Sequence, residues 1–154
     1  MKNYSVREVV EQAVQTEKLG YDFYQRMTKK FENDGKLKEL FDSLATKEKH
    51  HEKVFTDLLA KIKDQDIDNP EEFSAYLRSI VESEFFLGKN KSLPSLEHIT
   101  SVNDAVKFAI GFERETLLYF YSLKEIVKEK DVVNEIIEEE KSHVRWLTEY
   151  MKSR

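Results

Sequence analysis

The chain has 154 residues, 36% of them charged, with 4 glycines, 2 prolines and no cysteine; a Glu- and Lys-rich sequence with so few helix breakers favours long helices, and this length suits one domain (1–154) with a real core. A formal charge of −5 with scattered Lys and Arg offers no basic face for nucleic acid. The lack of cysteine excludes disulfides, thiol catalysis, iron–sulfur clusters and Cys-ligated zinc.

Met1 to Ser5 lacks the apolar run of a signal peptide, and no later segment approaches a membrane span, so a cytoplasmic location without a membrane partner is expected. Ser5-Val6-Arg7-Glu8 reads as a capping box opening a first long helix that runs to about Phe31. Its seam is Val6, Val10, Ala13, Glu17, Gly20, Tyr24, Met27 and Phe31. Asn33-Asp34-Gly35 signals a tight turn, so a second helix, about Lys36 to Lys63, returns antiparallel. Leu37, Phe41, Leu44, Glu48, His51, Phe55, Leu58 and Ile62 form its seam, stepping by 4, 3, 4, 3, 4, 3, 4.

Asn69-Pro70-Glu71-Glu72 supplies a cap, a proline at the first helical position and acidic residues in the first turn of a shorter helix ending near Leu87. Gly88 to Pro94 reads as loop. This segment is long enough to span the bundle, which predicts a single long crossover between two helical hairpins. A third long helix, capped near Ser101, runs to about Glu129 with seam Val102, Val106, Ala109, Glu113, Thr116, Phe120, Leu123 and Val127. A fourth, with Asp131 as candidate cap, occupies about Val132 to Lys152 with seam Val133, Ile136, Glu140, His143, Leu147 and Tyr150. The expected fold class is all-α, a four-helix bundle whose crossover contains a short helix.

The first two helices are each roughly 40 Å long at about 1.5 Å per residue, and every long helix carries its seam acid near the midpoint. Two of them carry Glu-x-x-His, which places both side chains on one face a turn apart. An unpaired carboxylate in an apolar interior costs several kcal/mol or more. If the midpoints meet at one level, four carboxylates contribute −4, which two divalent cations cancel, and the two imidazoles provide one nitrogen per metal. Oxygen-rich ligation with one nitrogen suits iron(II) or manganese(II) better than zinc, calcium or magnesium. One glutamate from each of two helices plus Glu-x-x-His from each of the others is the donor pattern of di-iron and di-manganese carboxylate bundles. The chain is also a weak internal repeat: Glu17, Glu48 and His51 answer to Glu113, Glu140 and His143, and Phe23-Tyr24 to Tyr119-Phe120.

The sequence resembles the ferritin-like di-iron proteins, and within them the rubrerythrin-like branch. The resemblance is carried by Thr16 to Tyr24, Glu48-Lys49-His50-His51, Phe112-Glu113 through Tyr121, and Glu138 to His143, and it covers nearly the whole chain. It implies a ferritin-like bundle holding two metal ions, iron or alternatively manganese, on Glu17, Glu48, His51, Glu113, Glu140 and His143. Glu48 and either Glu113 or Glu140 are candidates to bridge both ions. It also implies an oxidoreductase that reduces hydrogen peroxide or activates dioxygen, and a homodimer, with exchange of helix pairs between subunits left open. Rubrerythrins carry a rubredoxin-like domain with four cysteines; without any, this chain requires electrons from a separate donor protein. Rubrerythrins also place an extra glutamate one turn after the third-helix ligand, where this chain has Thr116, so that ligand does not carry over. Iron storage through a ferroxidase centre and di-manganese catalase chemistry are the alternatives; storage is disfavoured by a sequence ending at Arg154, soon after the fourth helix.

Tyr24 and Tyr121, seven and eight residues beyond Glu17 and Glu113, are candidates to hydrogen-bond a ligating carboxylate. Gly20 and its repeat mate Thr116 are small residues that either leave room for dioxygen or peroxide beside the metals or serve close helix packing. His50, turned about 100° from His51, is expected at the surface or an interface, and His98 in solvent before the third long helix. Glu82 and Glu84 are expected on a solvated face and Trp146 in packing. Tyr76, Phe85 and Phe86 are expected to cover the bundle or a partner subunit.

Overall fold

The computed structural model describes residues 3–62, 67–82 and 96–154. Ser5 opens α1 (Val6–Lys30) through a reciprocal cap: its hydroxyl accepts from the Glu8 amide, and the Glu8 carboxylate accepts from the Ser5 amide. Asp34 opens α2 (Gly35–Lys61) by accepting from the Leu37 amide at 3.0 Å. The same carboxylate receives Arg154 Nη1 at 3.0 Å and the Tyr150 hydroxyl at 3.4 Å, tying this turn to the C-terminal end of the chain. At the far end of α2, Arg7 donates to the Leu59 and Ile62 carbonyls, which ends the helix slightly before the expected Lys63.

The short helix α3 (Pro70–Val81) has proline in its first turn and Glu71 and Glu72 beside it, as its sequence predicts. Asn69 departs from expectation. Its backbone is left-handed at φ 50°, and its side chain makes no capping bond. A side chain reaches the first-turn amides from an extended backbone, so Asn69, one of the few non-glycine residues at ease in this region, shapes the turn instead. Leu77, Ile80 and Val81 are buried, whereas Tyr76 is 49% exposed and Glu82 faces solvent. Glu84, Phe85, Phe86 and the predicted loop from Gly88 to Pro94 lie outside the described residues.

Ser101 caps α4 (Val102–Ile126) by accepting from the Asp104 amide at 3.1 Å. This helix stops short of the predicted Glu129, and the Lys130 ammonium takes its free Lys124 and Glu125 carbonyls. The last helix, α5 (Lys130–Lys152), therefore starts before Val132. Glu129 holds its cap position without a side-chain bond, and the expected cap, Asp131, lies inside the first turn.

The core divides into two apolar clusters. One joins the N-terminal half of α1 (Val6, Val10) to the C-terminal halves of α2 (Phe55, Leu58) and α4 (Phe120, Leu123), the start of α5 and the buried face of α3. The other joins the C-terminal half of α1 (Phe23, Met27) to the N-terminal halves of α2 (Leu37, Phe41) and α4 (Val106, Ala109), with Leu147 and Ile99. So α1 and α5 run one way, and α2 and α4 the other. The C-terminal end of α2 and the N-terminal end of α4 lie at opposite ends, and the connection containing α3 spans the bundle, as the sequence predicts. Between the clusters lies a layer of buried acids and histidines.

Removing the Asp34 carboxylate leaves the first-turn amides of α2 unsatisfied. Asp34→Ala should destabilise the protein by about 0.5–2 kcal/mol in chemical denaturation, with no change in the cooperativity of unfolding.

Candidate metal centre

The polar layer is built by register. Glu17, Glu48, Glu113 and Glu140 sit near the midpoints of α1, α2, α4 and α5, and His51 and His143 follow their glutamates by one turn. All six are 0% exposed. They converge in two groups, each with donor atoms within 4.8 Å of one another: Glu48, Glu113, Glu140 and His143 in one, and Glu17, His51 and Glu140 in the other. Glu140 belongs to both, with Oε1 3.1 Å from His51 Nδ1 and Oε2 3.4 Å from His143 Nδ1. The two imidazoles stack at 5.9 Å between centroids.

Much of this layer lacks hydrogen-bond partners within the protein. Both oxygens of Glu17 and of Glu48, one oxygen each of Glu113 and Glu140, and both ring nitrogens of His143 are buried without one. Orphaned oxygens and nitrogens converging from four helices are the donor set that cations would satisfy. Short of cations, protons must serve. Burial raises the Glu17 and Glu48 carboxyls, reinforced at Glu48 by the neighbouring Glu17, Glu113 and Glu140. Burial and Glu140 push Glu113 up to about 8. Burial opposes charge on both imidazoles, yet the surrounding carboxylates outweigh it, carrying His51 to about 11 and His143 to about 10. Glu140 alone of the four is lowered: burial disfavours its charge, but Glu113 and the two histidines outweigh that.

Gly20 serves packing rather than spare room. A Cβ there would lie 2.8 Å from Glu48 Oε2 and 3.1 Å from Phe112 Cε1, so the glutamate itself fills the space. The Thr116 hydroxyl bonds back to the Phe112 carbonyl at 2.8 Å. Tyr24 does reach the layer, donating to Glu113 Oε1 at 2.6 Å across from α1 to α4. Tyr121 does not: it is 42% exposed, with the Lys141 ammonium 5.9 Å from its ring. At eight residues from Glu113 it is rotated about 80° off the seam, whereas seven residues brings Tyr24 back to within about 20°.

His50 and His98 face solvent. The Trp146 ring packs 5.5 Å from that of His143. The sequence reading missed Glu139. Its Oε2 lies 2.5 Å from His51 Nε2, the nitrogen turned away from the cluster, and its Oε1 lies 3.7 Å from Lys47 Nζ. The signal available was its place one residue before Glu140, which marks a charged side chain flanking the seam but not which helix it meets.

Four antiparallel-paired helices, a crossover spanning their length and a carboxylate–histidine layer at mid-height define a ferritin-like bundle. The family profile described as Rubrerythrin matches residues 8–151, and the chain belongs to the rubrerythrin family. It is also similar to a solved structure from Thermotoga maritima, described as a candidate ferritin-like diiron-carboxylate protein. The two share 21% identity over 99% of this chain and 97% of the other, with a TM-score of 0.76, a likeness of fold. No curated protein matches the chain significantly. Family and donor set together point to a dinuclear metal site. No helix among the described residues is long and apolar enough to cross a membrane.

Gly20→Ala should weaken metal binding more than it lowers stability, because its Cβ displaces the flexible end of Glu48; Thr116→Ala should spare metal binding, and calorimetric titration compares them. For protein stripped of metal, raised Glu113 contributes stability that is full below about pH 4.5 and lost through about 8, and the raised histidines contribute stability lost between about 6.5 and 11. Its melting temperature should therefore fall from pH 6.5 to 10, while the loaded protein, with cations in place of those protons, should fall much less.

Proposed function

We propose that the chain is a dinuclear metal oxidoreductase of rubrerythrin type, with iron as the metal, reducing hydrogen peroxide or activating dioxygen with electrons from a separate donor protein. The observation that carries this reading is the unexposed set of four carboxylates and two imidazoles in two groups joined by Glu140. Glu17 and His51 would hold one ion, Glu113 and His143 the other. Glu140, with one oxygen toward each histidine, and Glu48 would bridge them.

When bound, two iron(II) ions would supply the electron pair that, with two protons, converts hydrogen peroxide to two waters. The protein's residues set the conditions for that step. Tyr24 orients Glu113 through its 2.6 Å hydrogen bond, and Glu139 orients the His51 ring. The apolar clusters on both sides exclude bulk water from the layer. The sequence contains no cysteine to ligate an iron of its own, so re-reduction falls to another protein, and a homodimer is the expected assembly.

Anaerobic loading with iron(II) followed by metal analysis should return two ions per chain. Hydrogen peroxide should then oxidise them rapidly, at one peroxide per two irons, and turnover should stall until a rubredoxin-like donor and its reductase are added. One ion or none per chain overturns the dinuclear reading. Steady oxygen release without a donor would instead indicate manganese catalase chemistry, and continued iron uptake into a soluble mineral would indicate storage.

A further inference from the structure

The internal repeat relates the two halves of the centre, yet the residues behind the donors do not repeat. Glu48 answers to Glu140 and His51 to His143, so Lys47 answers to Glu139. The two positions carry opposite charge. Glu139 Oε2 accepts from His51 Nε2 at 2.5 Å, and Nδ1, on the cluster side, faces Glu140 Oε1 at 3.1 Å, so it is Nδ1 that would turn to a metal. Lys47 can only donate, and it lies 3.7 Å from Glu139. His143 Nε2 is buried without a partner in the protein, and the ring packs against Trp146.

The tyrosines break the repeat in the same sense. Tyr24 answers to Phe120, and Phe23 to Tyr119. Tyr24 donates to Glu113, drawing charge from that carboxylate, whereas the Tyr119 hydroxyl is spent on the Val9 carbonyl at 2.6 Å. Glu17 accordingly receives no phenol; neither of its oxygens has a hydrogen-bond partner, and Oε2 lies 3.7 Å from His51 Nδ1.

We propose that the two metal positions are inequivalent: the Glu17–His51 position, with Glu139 as its positioning residue, fills first, and the Glu113–His143 position is the weaker, more exchangeable one. This rests on the dinuclear reading above. An acceptor behind an imidazole fixes its tautomer and strengthens it as a donor, and Glu17, unlike Glu113, shares none of its charge with a phenol. The other half has a histidine without such support and a carboxylate whose charge is shared with a phenol. Both differences favour the same position.

Metal-free protein supplied with one equivalent of cobalt(II) tests this directly. Anomalous scattering should place the ion at the Glu17–His51 position, and calorimetric titration should resolve two steps. Glu139→Gln should weaken the first step by roughly 10- to 100-fold and spread one equivalent over both positions. Glu138→Gln, a neighbouring and exposed residue, should leave both steps unchanged, and melting temperatures of the metal-free variants separate any folding defect. Equal occupancy in the unsubstituted protein, first filling of the Glu113–His143 position, or equal effects of Glu138→Gln and Glu139→Gln would overturn the inference while leaving a dinuclear centre standing. Saturation at one ion or none would remove the centre itself.

Discussion

Four carboxylates with no solvent exposure share one level of this bundle, and their mutual repulsion is the constraint to which the rest of the structure answers. Each charge is costly to bury alone, and together they raise one another's demand for a counter-charge. The bundle tolerates the layer because apolar clusters on both sides supply the burial that holds the helices together. Capping at Ser5, Asp34 and Ser101 helps set where three of the four helices begin, and so the height at which their glutamates meet.

The repulsion can be relieved in two ways, by protons or by cations, and both use the same atoms. Acidity, stability and metal binding are therefore one coupled property of this chain. Gly20 shows how little slack the layer has: the Glu48 carboxylate occupies the space where any other side chain would begin. A residue with no functional group of its own thereby sets the position of a buried carboxylate in the layer.

The repeat explains the near-symmetric set of buried acids and histidines, and its imperfections distinguish the two halves. A tyrosine–phenylalanine exchange between the halves sends one hydroxyl to a carboxylate in the layer and the other to a helix carbonyl. A lysine faces the glutamate that answers to it. None of these exchanges alters the six donors; each alters what lies behind them. Pairs of ligands identical in type can in this way be held with unequal strength.

The sequence by itself determined the helices, their inward faces and the six interior acids and histidines, because a 3.6-residue period gives each residue its angle around its own helix axis. Thus Glu17, Glu48, Glu113 and Glu140 were legible as interior acids from apolar seams in which they were the exceptions. Helix ends were less legible: α4 ends early with Lys130 on its last carbonyls, and the left-handed backbone of Asn69 removes a cap that its side chain suggested. What lies beyond the seam was decided by tertiary structure alone. His50 and Glu139 are each one residue, about 100°, away from a seam position, yet His50 faces solvent and Glu139 meets His51. The difference is that a neighbouring helix stands on one side of each seam and water on the other, and helical periodicity carries no information about which side that is.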